Sequence, residues 1–202
     1  MIRVALTGGI GTGKSHVIRL LRRRSVPTID ADQLARAVVQ PDQAACARLR
    51  ARFGPDVFAA DGTLDRDRLG RLVFADRTAR SALEAVVHPP VREAIDAWFR
   101  RCRACTGAPF AVADIPLLFE TGRAEAFDRV VVVACDPATQ LRRVMARDGL
   151  SAADVRRRIA AQLPIAEKVA RADAVVRTDG SFAETDRETA SLCRALAAAS
   201  GS

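Results

Sequence analysis

The sequence predicts an α/β protein of three layers, a five-stranded parallel sheet with helices on both faces, carrying two helical excursions. Three observations lead there. Five short apolar segments, at residues 3–6, 27–29, 110–114, 130–134 and 174–176, alternate with stretches whose apolar residues recur at helical spacing. Alternation of that kind buries parallel strands under helices on both sides. The second observation is the glycine-rich run Gly8-Gly9-Ile10-Gly11-Thr12-Gly13-Lys14-Ser15 between the first strand and the first helix. The third is a segment without a strand candidate, residues 31–109, too long for a simple crossover helix, and a shorter one at residues 142–172.

Taken in order, Val4-Ala5-Leu6 enters the glycine run, and Val17, Ile18, Leu20 and Leu21 leave it at helical spacing. The run matches G-x-x-x-x-G-K-[ST] at every fixed position, in the strand–loop–helix context that the motif requires. Its glycines let backbone N–H groups turn inward around a phosphate, and the helix that follows aims the positive end of its dipole at the same anion. Lys14 would reach the β and γ phosphates, and Ser15 would hold Mg²⁺. A glycine-rich turn without a ligand is the bland alternative. Against it stands the composition: of 32 basic residues, lysine occurs only at positions 14 and 168. A phosphate cradle fits a compact ammonium and excludes the larger guanidinium fork.

The second strand runs into Asp30-Ala31-Asp32. One carboxylate there suits a base for an attacking hydroxyl, and capping the next helix needs only one of the two. In residues 31–109, Leu34, Val38, Leu49, Phe53, Leu69, Leu72, Leu83, Val87, Ile95 and Phe99 keep helical spacing, with turn signals at Gly54-Pro55, Asp61-Gly62 and Pro89-Pro90. This excursion is expected beside the carboxyl edge of the sheet, where open α/β folds bind ligands. Asp114 ends the third strand, either beyond Mg²⁺ or capping a turn before Pro116. Asp136-Pro137 reads as an N-cap followed by proline in the first turn, leading into Leu141, Val144 and Met145. In residues 142–172 Arg143 and Arg147, and likewise Arg158 and Gln162, stand four apart, each pair sharing a helix face. Ser181-Phe182-Ala183-Glu184 is a capping box, and the helix it starts is expected to fray over residues 197–202.

The 202 residues, 49% hydrophobic, suffice for one sizeable core. Met1 leads directly into the first strand and no apolar run approaches membrane length, so a cytoplasmic protein without a membrane partner is expected. Five cysteines in no framework spacing, including a lone Cys102-x-x-Cys105, favour free thiols over a zinc or redox site. A net charge of +8 suits nucleic acid, an acidic membrane or a polyanionic small substrate. Eight Phe, one Trp and no Tyr leave few platforms for stacking bases, which counts against a nucleic-acid-binding ATPase. The N-K-x-D element of a guanine reader is absent, which excludes a regulatory GTPase.

The motif series Leu6 to Ser15, Ile29-Asp30-Ala31-Asp32, His88-Pro89 with Arg92, Asp114 to Glu120, Thr139-Gln140-Leu141, Arg158-Ile159 with Gln162, Glu167-Lys168 and Ala172-Asp173 resembles that of dephospho-coenzyme A kinase, in order along most of the chain. The resemblance implies a P-loop kinase fold that transfers the γ phosphate of ATP, with Mg²⁺, to the ribose 3′-hydroxyl of dephospho-coenzyme A. It implies a nucleotide-binding core at residues 1–30, 110–141 and 173–202, a helical acceptor domain at 31–109 and a lid at 142–172. Carried over residue by residue, Gly11, Thr12, Gly13, Lys14, Ser15, His16, Arg143 and Arg147 would bind ATP. Asp32 would be the base, with Lys14 and Arg143 aiding catalysis, and Ser15 the metal ligand. Thr7, Asp32, His88, Arg92, Leu117, Leu118, Arg158 and Gln162 would bind the acceptor side. The chain departs from the family pattern at His16, Pro90 and Thr178, which replaces a familiar Asn. Another P-loop nucleotide or metabolite kinase is the neighbouring alternative.

Overall fold

A computed structural model describes residues 1–201. Among them five strands form one sheet: β1 (Ile2–Gly8), β2 (Thr28–Asp30), β3 (Phe110–Asp114), β4 (Arg129–Ala134) and β5 (Ala174–Arg177), in the order β2-β3-β1-β4-β5. β1 lies at the centre, parallel to β3 on one side and β4 on the other, with Leu6 opposite Asp114 and Val131. The chain divides into two compact units, one made of Met1–Ile29 and the chain from Phe99 onward, the other of Asp30–Trp98.

In the first unit, α1 (Lys14–Arg23) and α9 (Phe182–Ala199) cover one face of the sheet. Alternate strand residues, Val4 and Leu6, Phe110 and Val112, Val131 and Val133, pack there with Val17, Ile18, Leu21 and Leu196. The intervening Ala5, Ala111, Ala113, Val130 and Val132 are buried as well, so the strands are apolar on both faces, as parallel strands under helices require. Between β4 and β5 run α6 (Pro137–Asp148), α7 (Ala152–Ala160) and α8 (Ile165–Ala170). Two expected helix starts are present: Asp136 accepts the Thr139 N–H ahead of Pro137, and Ser181 and Glu184 form a complete capping box. The last helix holds its turns to Ala199, past the expected onset of fraying. Ser202 lies outside the described residues.

The second unit contains α2 (Ala31–Ala37), α3 (Ala44–Phe53), α4 (Arg66–Ala75) and the greater part of α5 (Arg77–Cys105). Its own core gathers Val39, Cys46, Leu49, Val57, Phe58, Leu69 and Val86. Gly54-Pro55 opens a 3₁₀ turn, and Asp61 accepts hydrogen bonds from the N–H and hydroxyl of Thr63 in the turn that follows. The expected turn at Pro89-Pro90 is not one. Both prolines lie inside the 29-residue α5, where the carbonyls of Ala85 and Val86 lack an N–H from the next turn. Burial of Val86, Val91 and Ile95 on either side holds the helix through the interruption. Tertiary packing here overrides local preference.

Candidate active site

The loop from Gly9 to Gly13 joins the central strand to α1, and its glycines answer particular constraints. Gly11 and Gly13 have φ of 76° and 84°, in the left-handed region that favours glycine. A Cβ on Gly8 would stand 2.6 Å from the carbonyl oxygen of Val133, because β4 runs directly alongside. Gly13 caps α1, whose first turn carries no acidic residue, so the unpaired N–H groups there remain suited to an anion.

Two glutamines and a threonine fix the loop. The Ile10 N–H donates to Gln162 Oε1 at 2.9 Å, and Gln140 Nε2 donates to the Ile10 carbonyl at 2.6 Å. In a trans peptide N–H and C=O point oppositely, so drawing the Ile10 carbonyl toward Gln140 turns the Gly11 N–H the other way. The Gly9 carbonyl accepts from the Thr12 hydroxyl at 2.8 Å. Beyond β5, the buried Thr178 donates its hydroxyl to the Thr12 carbonyl at 2.7 Å and accepts from Arg143 Nη1 at 2.9 Å. One short side chain thus ties the phosphate loop, α6 and the β5 end together.

Lys14 points to the end of β3, where its ammonium is paired with Asp114, both side chains largely buried. Ser15 follows, exposed, and then His16. Burial, and after it the charge of Arg19, lowers the His16 pKa from 6.5. Arg19 Nη2 lies 3.1 Å from Nδ1, and a guanidinium can only donate, so the neutral ring carries its proton on Nε2. The ring packs at 4.8 Å against Phe182, itself 76% exposed.

Behind the loop, the Thr7 hydroxyl donates to the Pro116 carbonyl at 3.1 Å. Thr7 and Leu118 are fully buried, so their side chains support the wall of the site, and Leu117 is the one turned outward. Arg147 and Arg158 meet on Asp148, at 2.7 and 3.5 Å. The Arg147 hydrogen bond holds the Asp148 carboxyl below its usual range. The helix face expected for Arg158 and Gln162 does not exist, since α7 stops at Ala160 and Gln162 lies in the turn beyond it. Pro164 disfavours helix at the residue before it, and Gln162 turns to the phosphate loop. In the second unit Asp30 caps α2, its Oδ1 accepting the N–H groups of Asp32 and Gln33 at 2.8 and 3.2 Å. Asp32 occupies the first turn, exposed, while His88 and Arg92 stand one turn apart on α5. Sequence reasoning gave no contact to Gln140, which holds the loop, to Asp148, which gathers Arg147 and Arg158, to Glu120, which accepts the Leu163 N–H, or to Thr178, which holds the loop. The first and third lay within the quoted motifs, but their partners are distant in sequence.

Comparison with known proteins decides the family. The family model described as dephospho-CoA kinase matches residues 2–184. The chain belongs to the dephospho-CoA kinase family. A dephospho-CoA kinase of Geobacillus kaustophilus is 42% identical over 193 residues, covering 96% of each chain. Among solved structures, TT1252 of Thermus thermophilus superposes with a TM-score of 0.83 at 38% identity, over 96% of this chain and 97% of that one. A dephospho-CoA kinase of Campylobacter jejuni does so with 0.74 at 26%, over 98% of each. As a member of that family the chain is an enzyme of phosphoryl transfer, with the P-loop of a kinase core built at the end of β1.

Proposed function

We propose that the chain transfers the γ phosphate of ATP to the ribose 3′-hydroxyl of dephospho-coenzyme A, giving coenzyme A and ADP. The observation that carries this is the phosphate loop with Lys14 held at its floor by Asp114, in a chain matched by the family model over residues 2–184. In the reaction the acceptor oxygen bonds to the γ phosphorus, the bond from that phosphorus to the β–γ bridging oxygen breaks, and the hydroxyl proton passes to a carboxylate. Such transfer asks for positioning and charge stabilisation more than covalent work from the protein.

Gly11 to His16 bind ATP, the N–H groups of Gly11, Gly13, Lys14 and Ser15 receiving the phosphates, and Lys14 supplies the compact charge at the β and γ positions. Arg143, aligned by Thr178, faces the same loop from α6 and stabilises charge as the γ phosphate moves. Asp32 acts as the base, its carboxylate exposed in the first turn of α2 just beyond the carboxyl end of β2. His88, Arg92 and Leu117 hold the acceptor, residues 31–109 form its domain, and residues 142–172 close over the phosphates with Arg147 and Arg158. The donors present fit Mg²⁺, a hard cation that takes one or two protein oxygens and otherwise phosphate oxygens and waters. Ser15, with an exposed hydroxyl next to Lys14, would hold it. Bound there, Mg²⁺ neutralises charge on the β and γ phosphates. Polyanionic substrates suit the net charge of +8 without a nucleic acid, and five free thiols suit the cytoplasm. Phosphorus NMR of the product tests the reading. A new phosphomonoester on the ribose 3′-oxygen is expected; a phosphate on any other oxygen, or none, contradicts it.

A further inference from the structure

Lys168 is completely buried, the largest such side chain in the described residues, and the phosphoryl transfer derived above makes no use of it. Its ammonium lies 2.7 Å from Glu120 Oε1 and donates to the Pro116 carbonyl at 3.4 Å, the same carbonyl that accepts from Thr7. The same Glu120 oxygen accepts the N–H of Leu163 at 3.0 Å. Burial alone would raise the Glu120 carboxyl. The hydrogen bonds from Lys168, from its own N–H and from Leu163 outweigh that and hold it below the usual range.

A buried ion pair is weak support for stability, because apolar side chains of similar volume serve as well or better. Its particular geometry is what an apolar pair cannot reproduce. The carboxylate fixes the backbone of Leu163, and Leu163 directly follows Gln162, whose side chain holds the Ile10 N–H of the phosphate loop. A continuous path of hydrogen bonds and one peptide link therefore runs from α8, through the segment after β3, to the outer turn of the loop.

We propose that Lys168 and Glu120 are positioning residues, which set Gln162 against the phosphate loop and thereby fix the peptide between Gly9 and Ile10 for the transfer step. The pair touches no reacting atom. Its effect appears in the catalytic rate, since Gly13, Lys14 and Ser15 hold ATP independently of it. This inference rests on the phosphotransfer reading. Wild-type protein that turns over no dephospho-coenzyme A would overturn that reading, whereas ATP binding and amide exchange judge the pair separately.

The test is a kinetic cycle on the full chain. In Lys168→Met/Glu120→Met both charges go and volume is kept; in Lys168→Met/Glu120→Gln the carbonyl oxygen that accepts from Leu163 remains. The Met/Met variant is expected to lose about 10-fold in kcat, with the Kd for ATP changed less than about threefold. The Met/Gln variant should recover to within about threefold of wild type. Adding Gln162→Ala should cost about 10-fold in wild type and less than about twofold in Met/Met, since the two changes break one path. Equal activity of Met/Met and wild type would overturn the proposal. So would equal loss in the two double variants, or a Gln162→Ala effect of the same size in both backgrounds. Should Met/Met not fold, amide exchange in wild type and Lys168→Leu/Glu120→Leu decides. The Leu163 and Ile10 amides are both expected to lose protection at least about 10-fold. An unchanged Ile10 amide would overturn the proposal.

Discussion

At the scale of single residues, Asp30 and Asp32 stand differently at the start of α2. Asp30 accepts two N–H groups at the start of α2, and Asp32 stands exposed in the first turn. Replacing a base by its amide keeps the size of the side chain and removes its capacity for the proton. Asp32→Asn is expected to lower kcat by about 10²–10⁴-fold with the KM for ATP nearly unchanged, and Asp30→Asn to cost less. Steady-state kinetics with dephospho-coenzyme A check this; a crippled Asp30→Asn beside a near-normal Asp32→Asn would reverse the assignment. Lys14 and the loop glycines were legible in the sequence because their spacing is the motif itself. The pairing of Lys14 with Asp114, and the grip of Gln162 on Ile10 across a separation of 152 residues, were not. Such contacts depend on which strands neighbour each other, and spacing along the chain does not encode that.

At the scale of elements, local signals with a fixed chemistry were the most readable. The N-cap of α6 is one. Asp136 is lowered from 3.8 to about 2 by hydrogen bonds from the hydroxyl and N–H of Thr139. The unfolded chain therefore takes up the proton at higher pH than the fold does. The cap contributes its stability above about pH 4 and loses it as the pH falls from about 4 to about 2. In thermal melts, the advantage of wild type over Asp136→Asn is expected to shrink across that interval; a difference independent of pH would contradict this. The prolines of α5 are the opposite case, a strong local signal that the fold overrides. A helix-interior proline costs about 3 kcal/mol, and its stiffening of the unfolded chain returns about 1, so Pro90→Ala is expected to stabilise by about 2 kcal/mol. Denaturant titration checks it, and an unchanged or lower midpoint would show that α5 is adapted to the interruption. The end of α7 escaped notice for a related reason: four-residue spacing of Arg158 and Gln162 suggests a shared face only while the helix continues, and Pro164 ends it.

At the scale of the whole molecule, alternation of short apolar strands with helical stretches was enough for the parallel sheet, and the phosphate loop fell at the carboxyl end of its central strand as such sheets require. The chain forms two compact units, and the second, Asp30–Trp98, has a core of its own. No helix among the described residues is long and apolar enough to cross a membrane. The acceptor is the point on which the account turns, because a phosphate loop alone serves many kinases. The most direct test is a coupled ADP-release assay with ATP and Mg²⁺, offering dephospho-coenzyme A, adenosine, AMP or single-stranded DNA in turn. The account predicts ADP release with dephospho-coenzyme A and only background with the other three; equal or faster release with any of them, or none with dephospho-coenzyme A, would contradict it.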